Sequence, residues 1–260
     1  MSNLRRRASA GRGGTFGKAA PIITPTRIGL VGATGLIGRT LIEVSSAGEQ
    51  ARMVGIARRE IEMPAGARME LFVSEPDKWG EVLAAVRPPA VICALGTTWR
   101  KAGKSEEAFR AVDGELIVQI AQAAKDAGVP NFVLVSAAGA DPQSKNLYQR
   151  VKGETEKRVT QVGFKRLDIL RPGLLRGARK DDFRLFERAA LAVSPITDSI
   201  LSGKWEALKS VEASLVAEAA LGLALRKAAG RFTHDNEAMR RAAREYRAKG
   251  QRGANHLEDE

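Results

Sequence analysis

The chain has 260 residues, of which 44% are hydrophobic and 28% are charged, and its formal net charge is +12. This balance is that of a globular protein with ample apolar material for one large core. No apolar run reaches the roughly 18 residues that a membrane-spanning helix needs, and the single cysteine, Cys93, excludes an intrachain disulfide.

The lone cysteine fits a reducing compartment, so we expect a cytoplasmic protein. The two histidines, His234 and His256, lie near the C-terminus without cysteines or carboxylates at metal-ligand spacing. We therefore expect no metal site.

The positive charge is concentrated at the two ends of the chain. Residues 1–20 carry five basic and no acidic side chains, which predicts a disordered basic tail over residues 1–24. An organellar transit peptide is the second interpretation of this leader. The stretch "NEAMRRAAREYRAKGQR" predicts a solvated basic helix within residues 231–260. Neither end carries a nucleic-acid motif, so we expect no specific nucleic-acid partner.

Between these ends, short apolar runs alternate with longer amphipathic ones. This pattern predicts an α/β fold of the Rossmann type, a doubly wound parallel sheet with helices on both faces. After Arg179 the alternation weakens, which predicts a small helical C-terminal region over 174–230, on the substrate side of a domain over 25–230. Six strands are predicted, over residues 27–32, 51–57, 69–74, 90–96, 131–136 and 166–173.

The helix before the fifth strand is predicted from apolar residues at helical spacing. They are Ala108, Val112, Leu116, Ile120 and Ala124.

The first strand runs into "LVGATGLIG", which spaces Gly32, Gly35 and Gly38 as GxxGxxG. Because these glycines lie between a buried strand and a helix, they predict a dinucleotide-binding turn. Gly32 would permit the turn, Gly35 would let the backbone approach a pyrophosphate, and Gly38 would let helix and strand pack closely. The free N–H groups of the helix N-terminus would bind the anion.

The second strand ends in "GIARRE", where an NAD-specific site would place an acidic residue. Arg58 and Arg59 stand there instead. Guanidinium groups match a 2′-phosphate in charge and geometry, so NADP(H) is favoured over NAD(H). Glu60 lies close by and leaves the NAD alternative open.

The fourth and fifth strands should end at the ligand crevice of such a sheet. Gly96 would allow close backbone approach there, Thr97 offers a hydroxyl, and Ser136 ends the fifth strand. We expect Cys93 to pack as a small apolar residue rather than to act as a nucleophile.

The next helix carries "LYQRVKGE", which sets Tyr148 and Lys152 on one face. An ordinary tyrosine, with a pKa of about 10, is a poor acid at neutral pH. A neighbouring lysine cation stabilises the phenolate, so Tyr148 could give a proton to a carbonyl oxygen while Ser136 holds that oxygen. Lys152 could also bind the nicotinamide ribose.

These features in order resemble the short-chain dehydrogenase/reductase superfamily, in its atypical and extended branches. Over about residues 27–226 the chain is similar to the TIP30-like NAD(P)H-binding oxidoreductases. The similarity lies in the blocks "VICALGTTWRKAG", "AFRAVD", "FVLVSAAGAD", "LYQRVKGE" and "ILRPGLLRG".

The resemblance implies a role for each matching position. The catalytic set would be Ser136, Tyr148 and Lys152, and Leu95, Gly96 and Thr97 would line the nicotinamide. Pro172 and Gly173 would form a loop over it. The pyrophosphate turn would comprise Gly32, Thr34, Gly35, Leu36, Ile37 and Gly38. Three departures from the family stand out: Ala137 follows Ser136 where relatives often carry a second serine, the third strand ends in "FVSEPD" without the acidic residue often found near the adenine, and no catalytic asparagine can be placed.

The expected function is thus an NADP(H)-dependent oxidoreductase acting on a small carbonyl or alcohol substrate. A non-catalytic NADPH-binding sensor that acts through a protein partner is the alternative, and a homodimer stays open. A sugar-nucleotide epimerase would share the fold and the tyrosine-lysine pair, but the region after Arg179 looks short for a nucleotide-sugar domain.

Overall fold

The structure is a computed structural model that describes residues 24–67, 69–176 and 210–258, with side chains up to residue 251. Residues 1–23 of the expected basic tail lie outside the described residues. So do residues 177–209, the larger part of the expected substrate-side region.

Nine strands are present in the described residues, and seven of them form one parallel sheet in the order β3-β2-β1-β4-β5-β6-β9. The remaining two, β7 and β8, pair with each other. The strands are β1 (Thr26–Val31), β2 (Ala51–Ala57), β3 (Met69–Val73), β4 (Ala90–Cys93), β5 (Asn131–Val135), β6 (Arg166–Leu170), β7 (Leu175–Arg176), β8 (Val211–Glu212) and β9 (Gly230–His234).

The helices connect these strands. A 3₁₀ turn over Pro76–Lys78 precedes α2, and a π-helical turn over Ala111–Leu116, here called the π segment, joins α3 directly to α4. No described helix has both the length and the apolar character of a membrane span. The helices are α1 (Leu36–Ala47), α2 (Trp79–Val86), α3 (Glu106–Arg110), α4 (Ile117–Asp126), α5 (Leu147–Gln161), α6 (Ala213–Ala224) and α7 (Asn236–Glu258).

The helices cover both faces of the sheet, as the sequence predicted. Alternate residues of each strand enter opposite cores: Ile92 packs with α1, α6 and α7, whereas its neighbours Val91 and Cys93 pack with α2, α4 and α5. Since both faces are covered, the central strands β1, β4 and β5 carry continuous apolar runs, such as residues 132–135 in β5, which is why they stand out in the sequence. The expected doubly wound fold is confirmed.

The outermost strand β9 was not predicted. It pairs in parallel with β6, and three buried polar side chains stabilise the junction. Arg166 contacts Asp168 at 2.6 and 2.8 Å, and His234 Nε2 lies 2.8 Å from Asp168 Oδ1. The boundary expected at residue 230 therefore falls inside a strand of the sheet.

The basic helix near the C-terminus also differs from the expectation of a solvated element. One face of α7 is apolar and packs against α6, with Met239, Ala242, Ala243 and Tyr246 buried. Its described arginines, Arg240, Arg241, Arg244 and Arg247, are exposed. The high basic content hid this apolar face in the sequence, because the face has no leucine and half of it consists of small alanines.

Close backbone packing at the β1–α1 turn requires Gly38. A Cβ atom on Gly38 would lie 2.2 Å from the carbonyl oxygen of Gly32 and 2.7 Å from Cα of Ala33. Both neighbours are backbone atoms, so helix α1 would have to move away from the turn to make room.

We expect Gly38→Ala to lower the free energy of unfolding by about 3 kcal/mol, the upper part of the usual range for overpacking. Urea denaturation measures this loss. Gly80→Ala is the matched control, because Gly80 also lies in a helix and its Cβ would meet only the Ala123 side chain of α4 at 3.5 Å, an ordinary van der Waals contact. If both variants unfold at the same urea concentration, the close approach at Gly38 is not a constraint.

Candidate functional site

The carboxyl ends of β1 and β4 meet where the strand order of the sheet reverses. The amide of Ala94 donates to the carbonyl of Val31 at 2.8 Å, which fixes the two strand ends side by side. In open α/β sheets this reversal point forms the ligand crevice. The residues that follow β1, β4 and β5 therefore face a common site.

The turn after β1 has the form of a dinucleotide cradle. Gly32 adopts a φ of +94°, and a Cβ there would lie 2.5 Å from the carbonyl carbon of Ala94. Gly35 is the N-cap of α1 and no side chain caps the helix, so the first N–H groups of α1 are available to an anion. These features fit a dinucleotide pyrophosphate.

The other residues expected at this turn differ in how they could contact a cofactor. Thr34 is exposed and Leu36 is half-buried. Ile37 is buried in the core, so it could offer a cofactor only its backbone N–H. Arg58 and Arg59 lie directly after β2, and both are exposed.

A buried ion pair occupies the centre of the site. Lys152 Nζ lies 2.7 Å from Asp113 Oδ1, and the two side chains are 6% and 0% exposed. The backbone amide of Thr97 donates to the other carboxylate oxygen of Asp113 at 2.7 Å. The pair thus joins α5, the π segment and the loop after β4.

The charge state of Lys152 depends on this pair. Burial alone would lower the pKa of Lys152, but the charge of Asp113, with further contributions from Tyr148 and Cys93, raises the pKa above its ordinary value. A raised pKa means that the folded state holds the proton more tightly than the unfolded chain. This stabilisation is complete below the ordinary value of 10.5 and is lost as the pH rises through the folded value.

Asp113 was not predicted as a site residue, because the buried face predicted for the start of its helix lies one residue before the face that is buried in the structure. The predicted face ran through Ala108 and Val112, whereas the buried residues are Phe109, Asp113 and Ile117. The π segment holds Asp113, and the Thr155 hydroxyl lies 2.8 Å from its carbonyl oxygen. The available signal was an acid four residues from Phe109 and from Ile117, both large apolar residues.

Tyr148 stands at the mouth of the site, one helical turn before Lys152. Its side chain is 41% exposed, and Lys152 Nζ lies 6.0 Å from the centre of its ring. The buried ring of Phe109 lies between Tyr148 and the exposed Trp99, with centroid distances of 5.7 and 6.3 Å. An aromatic surface therefore borders the phenol.

Ser136 is buried at the end of β5, and its hydroxyl oxygen has no hydrogen-bond partner in the described part of the chain. A buried hydroxyl normally has a partner, so a group that enters the site could supply it. The loop after β6 lies alongside, since the amide of Ala138 donates to the carbonyl of Pro172 at 2.8 Å. The amide of Gly173 donates to Asn236 Oδ1 at 3.1 Å, which fastens this loop to the start of α7.

The position of α5 is fixed by contacts at its N-terminus and along its middle. Asn146 caps the helix by accepting a hydrogen bond from the amide of Gln149. A Cβ on Gly153 would lie 2.3 Å from backbone atoms of Asp141 and Pro142, so the loop after β5 packs directly on the helix. The buried Glu156 forms an ion pair with Arg171. These contacts set the face of α5 that carries Tyr148 and Lys152.

Cys93 lies beneath the ion pair at the end of β4. Burial raises the pKa of its thiol to about 11, so the thiol stays protonated at neutral pH. In the described residues, no three His, Cys, Asp or Glu side chains lie close enough together to hold a metal ion.

The model of a family described as NAD(P)H-binding matches residues 32–192. The chain belongs to this family. Curated relatives include the Fmp52 protein of Emericella nidulans, which is 32% identical over 220 residues, or 81% of this chain and 92% of the relative. The Fmp52 protein of Aspergillus fumigatus is 35% identical over 206 residues, or 76% of this chain and 87% of the relative.

Solved structures share the fold. The UDP-Glc/GlcNAc 4-epimerase of Campylobacter jejuni superposes with a TM-score of 0.63 at 12% identity, covering 83% of this chain and 82% of that one. The enzyme WbmH of Bordetella bronchiseptica, in complex with NAD⁺, gives 0.61 at 14% identity, covering 81% and 76%. Together with the family match, they confirm the resemblance to the atypical and extended short-chain dehydrogenases/reductases.

The expected cytoplasmic location is wrong. The curated relatives, including those of Saccharomyces cerevisiae and Candida albicans, are named mitochondrial proteins. The single cysteine misled the prediction, because the lack of a disulfide is equally compatible with other reducing compartments.

We expect removal of one member of the buried ion pair to be strongly destabilising. Asp113→Leu and Lys152→Met should each lower the free energy of unfolding by about 3–5 kcal/mol, since each leaves a buried charge unpaired. The double variant should lose much less than the sum of the two. Urea denaturation of the four proteins measures the coupling.

The exposed pair Glu115–Arg158 is the matched control, because it also joins the π segment to α5 but its side chains are 57% and 42% exposed. Its coupling should stay below about 1 kcal/mol. Additive losses at Asp113 and Lys152 would contradict a buried interaction between them.

Proposed function

We propose that the protein is an NADP(H)-dependent oxidoreductase that interconverts a carbonyl and an alcohol, with Ser136, Tyr148 and Lys152 as its catalytic groups. The observation that carries the proposal is the buried Lys152 ammonium, held one helical turn behind the exposed phenol of Tyr148. A buried lysine needs a strong reason to remain charged, and Asp113 provides it.

The cofactor would lie across the strand ends with its pyrophosphate at the N-terminus of α1 and its nicotinamide near Leu95–Thr97. NADPH, when bound, supplies a hydride to the carbonyl carbon and becomes NADP⁺. The position of Gly96 supports this placement, because Gly96 is exposed and lies next to the ion pair: a Cβ on it would be 3.4 Å from Asp113 Oδ1 and 3.7 Å from Lys152 Nζ.

Tyr148 is the proton donor in the proposed reduction. Its hydroxyl proton passes to the carbonyl oxygen as the C=O bond becomes a C–O single bond, and the phenolate that remains is stabilised by the Lys152 cation. The Ser136 hydroxyl, which has no partner in the described residues, would donate a hydrogen bond to the same oxygen. In alcohol oxidation the proton returns to Tyr148.

The aromatic surface beside Tyr148 supports a substrate with an apolar group next to its carbonyl. Trp99 is 43% exposed, and its loop is held by hydrogen bonds such as that from the Lys104 amide to the Trp99 carbonyl at 2.9 Å. A large, fixed aromatic side chain in contact with water at the mouth of a site favours a ligand that covers it.

Replacing Tyr148 by phenylalanine tests the proton donor. We expect Tyr148→Phe to lower kcat at least about 100-fold, the usual contribution of a general acid, because only the hydroxyl is lost. NADPH affinity should remain within about twofold of wild type, because the ring is kept in place. Stopped-flow reduction of a panel of aldehydes and ketones measures turnover, and fluorescence titration measures binding.

Tyr246→Phe is the matched control, since Tyr246 is the only other tyrosine and packs in the α6–α7 core. It should leave turnover unchanged. Equal turnover by Tyr148→Phe and wild type would remove Tyr148 from the mechanism. NADPH binding without turnover of any compound in wild type would favour the alternative, a cofactor-binding sensor that acts through a protein partner.

The preference for NADP(H) is proposed from Arg58 and Arg59. They follow β2 at the corner where an adenosine ribose lies in dinucleotide folds, and both are exposed. Arg39 on α1, 4.0 Å from Glu62, adds another cation on the adjacent helix. A dianionic 2′-phosphate would be attracted to such a corner, whereas the 2′-hydroxyl of NADH gains little from it.

We expect the double variant Arg58→Ala/Arg59→Ala to weaken NADPH binding by about 30-fold or more, equivalent to roughly 2 kcal/mol for lost charge-assisted hydrogen bonds. NADH binding should change less than about threefold. Isothermal titration with both cofactors measures the two effects. Arg52→Ala, at the opposite end of β2, is the control and should alter neither. A parallel loss for both cofactors would overturn the assignment of the 2′-phosphate.

A further inference from the structure

We propose that Asp113 is a positioning residue that cancels the charge of Lys152 at the nicotinamide end of the site, and so sets the relative affinity for oxidised and reduced cofactor. This inference rests on the proposed binding of NADP(H). Asp113 is not one of the proposed catalytic groups Ser136, Tyr148 and Lys152. The proposed reaction does not require that the protein discriminate between oxidised and reduced cofactor.

The placement of Asp113 carries the inference. The carboxylate is fully buried, contacts Lys152 Nζ with one oxygen and accepts the Thr97 amide with the other. A Cβ on Gly96 would lie 3.4 Å from Asp113 Oδ1 and 3.7 Å from Lys152 Nζ. Both charges therefore lie directly beneath the backbone stretch that is proposed to line the nicotinamide.

Asp113 lies in a π-helical turn, whose backbone holds its buried side chain in place. The π segment begins at Ala111, and the Thr155 hydroxyl on α5 lies 2.8 Å from the Asp113 carbonyl oxygen. π-helical turns inside α-helices are often found at functional sites. Here the turn carries a carboxylate that contacts both the Lys152 helix and the loop after β4.

The electrostatic consequence follows from the two forms of the cofactor. The nicotinamide ring is positively charged in NADP⁺ and neutral in NADPH, whereas the phosphates are the same in both. An uncompensated Lys152 cation beside the ring would repel NADP⁺ selectively. With Asp113 adjacent, the pair carries no net charge, and this penalty is largely removed.

The ratio of dissociation constants, Kd for NADP⁺ divided by Kd for NADPH, measures the effect. Asp113→Asn keeps an oxygen to accept the Thr97 amide but leaves Lys152 uncompensated, so the ratio should rise by about tenfold. Lys152→Met leaves Asp113 as an uncompensated anion, so the ratio should fall by a similar factor. The double variant should return close to the wild-type ratio.

A purely structural role for Asp113 would weaken both cofactor forms equally and leave this ratio unchanged. Glu115→Gln is the matched control, because it removes an exposed acid from the same π segment and should not move the ratio. The test compares binding only, by isothermal titration at one pH and salt concentration, and it needs no substrate.

The two single variants are expected to change the ratio of dissociation constants in opposite directions. If Asp113→Asn fails to fold, the test therefore rests on Lys152→Met, which must lower the ratio. An unchanged ratio in whichever single variants fold would overturn the inference while leaving the proposed oxidoreductase intact. Failure of wild type to bind either cofactor form would overturn both.

Discussion

The buried contact between Asp113 and Lys152 connects the parts of the molecule that make up the candidate site. Lys152 comes from α5, Asp113 from the π segment, and the Thr97 amide from the loop after β4. Taking two charges out of water is costly unless their geometry and remaining hydrogen bonds are good. That requirement restricts how α5 can be placed, and with it the position of Tyr148 at the mouth of the crevice.

A second constraint is the close packing of main-chain atoms at the β1–α1 turn, on the other side of the site. Gly32 and Gly38 allow the β1–α1 turn to press against the end of β4 and against α1 itself. The turn therefore shows its N–H groups, rather than side chains, to the crevice. The candidate site thus has one side made of main-chain N–H groups and another made of the side chains of Tyr148, Lys152 and Asp113.

The sequence was sufficient for the fold because strands covered on both faces carry continuous apolar runs, as β4 does over its whole length and β5 does after Asn131. It was insufficient for β9, since "GRFTH" has no apolar run and is stabilised by pairing with the distant β6 and by the Arg166–Asp168–His234 contacts. In the site, Tyr148 and Lys152 follow from a four-residue spacing. Asp113 could not be predicted in this way. A π-helical turn shifts the buried face of the helix by one residue, and the regular helical period used to read the sequence does not account for that shift.

The late position of β9 in the chain has a consequence for synthesis. Until residues 230–234 leave the ribosome, the outer edge of β6 has no partner in the sheet, and unpaired strand edges are templates for association with other chains. The same late segment supplies Asn236, which holds the Gly173 loop. A nascent chain could therefore form most of its sheet before the contact that holds the Gly173 loop exists, so this side of the crevice is completed last.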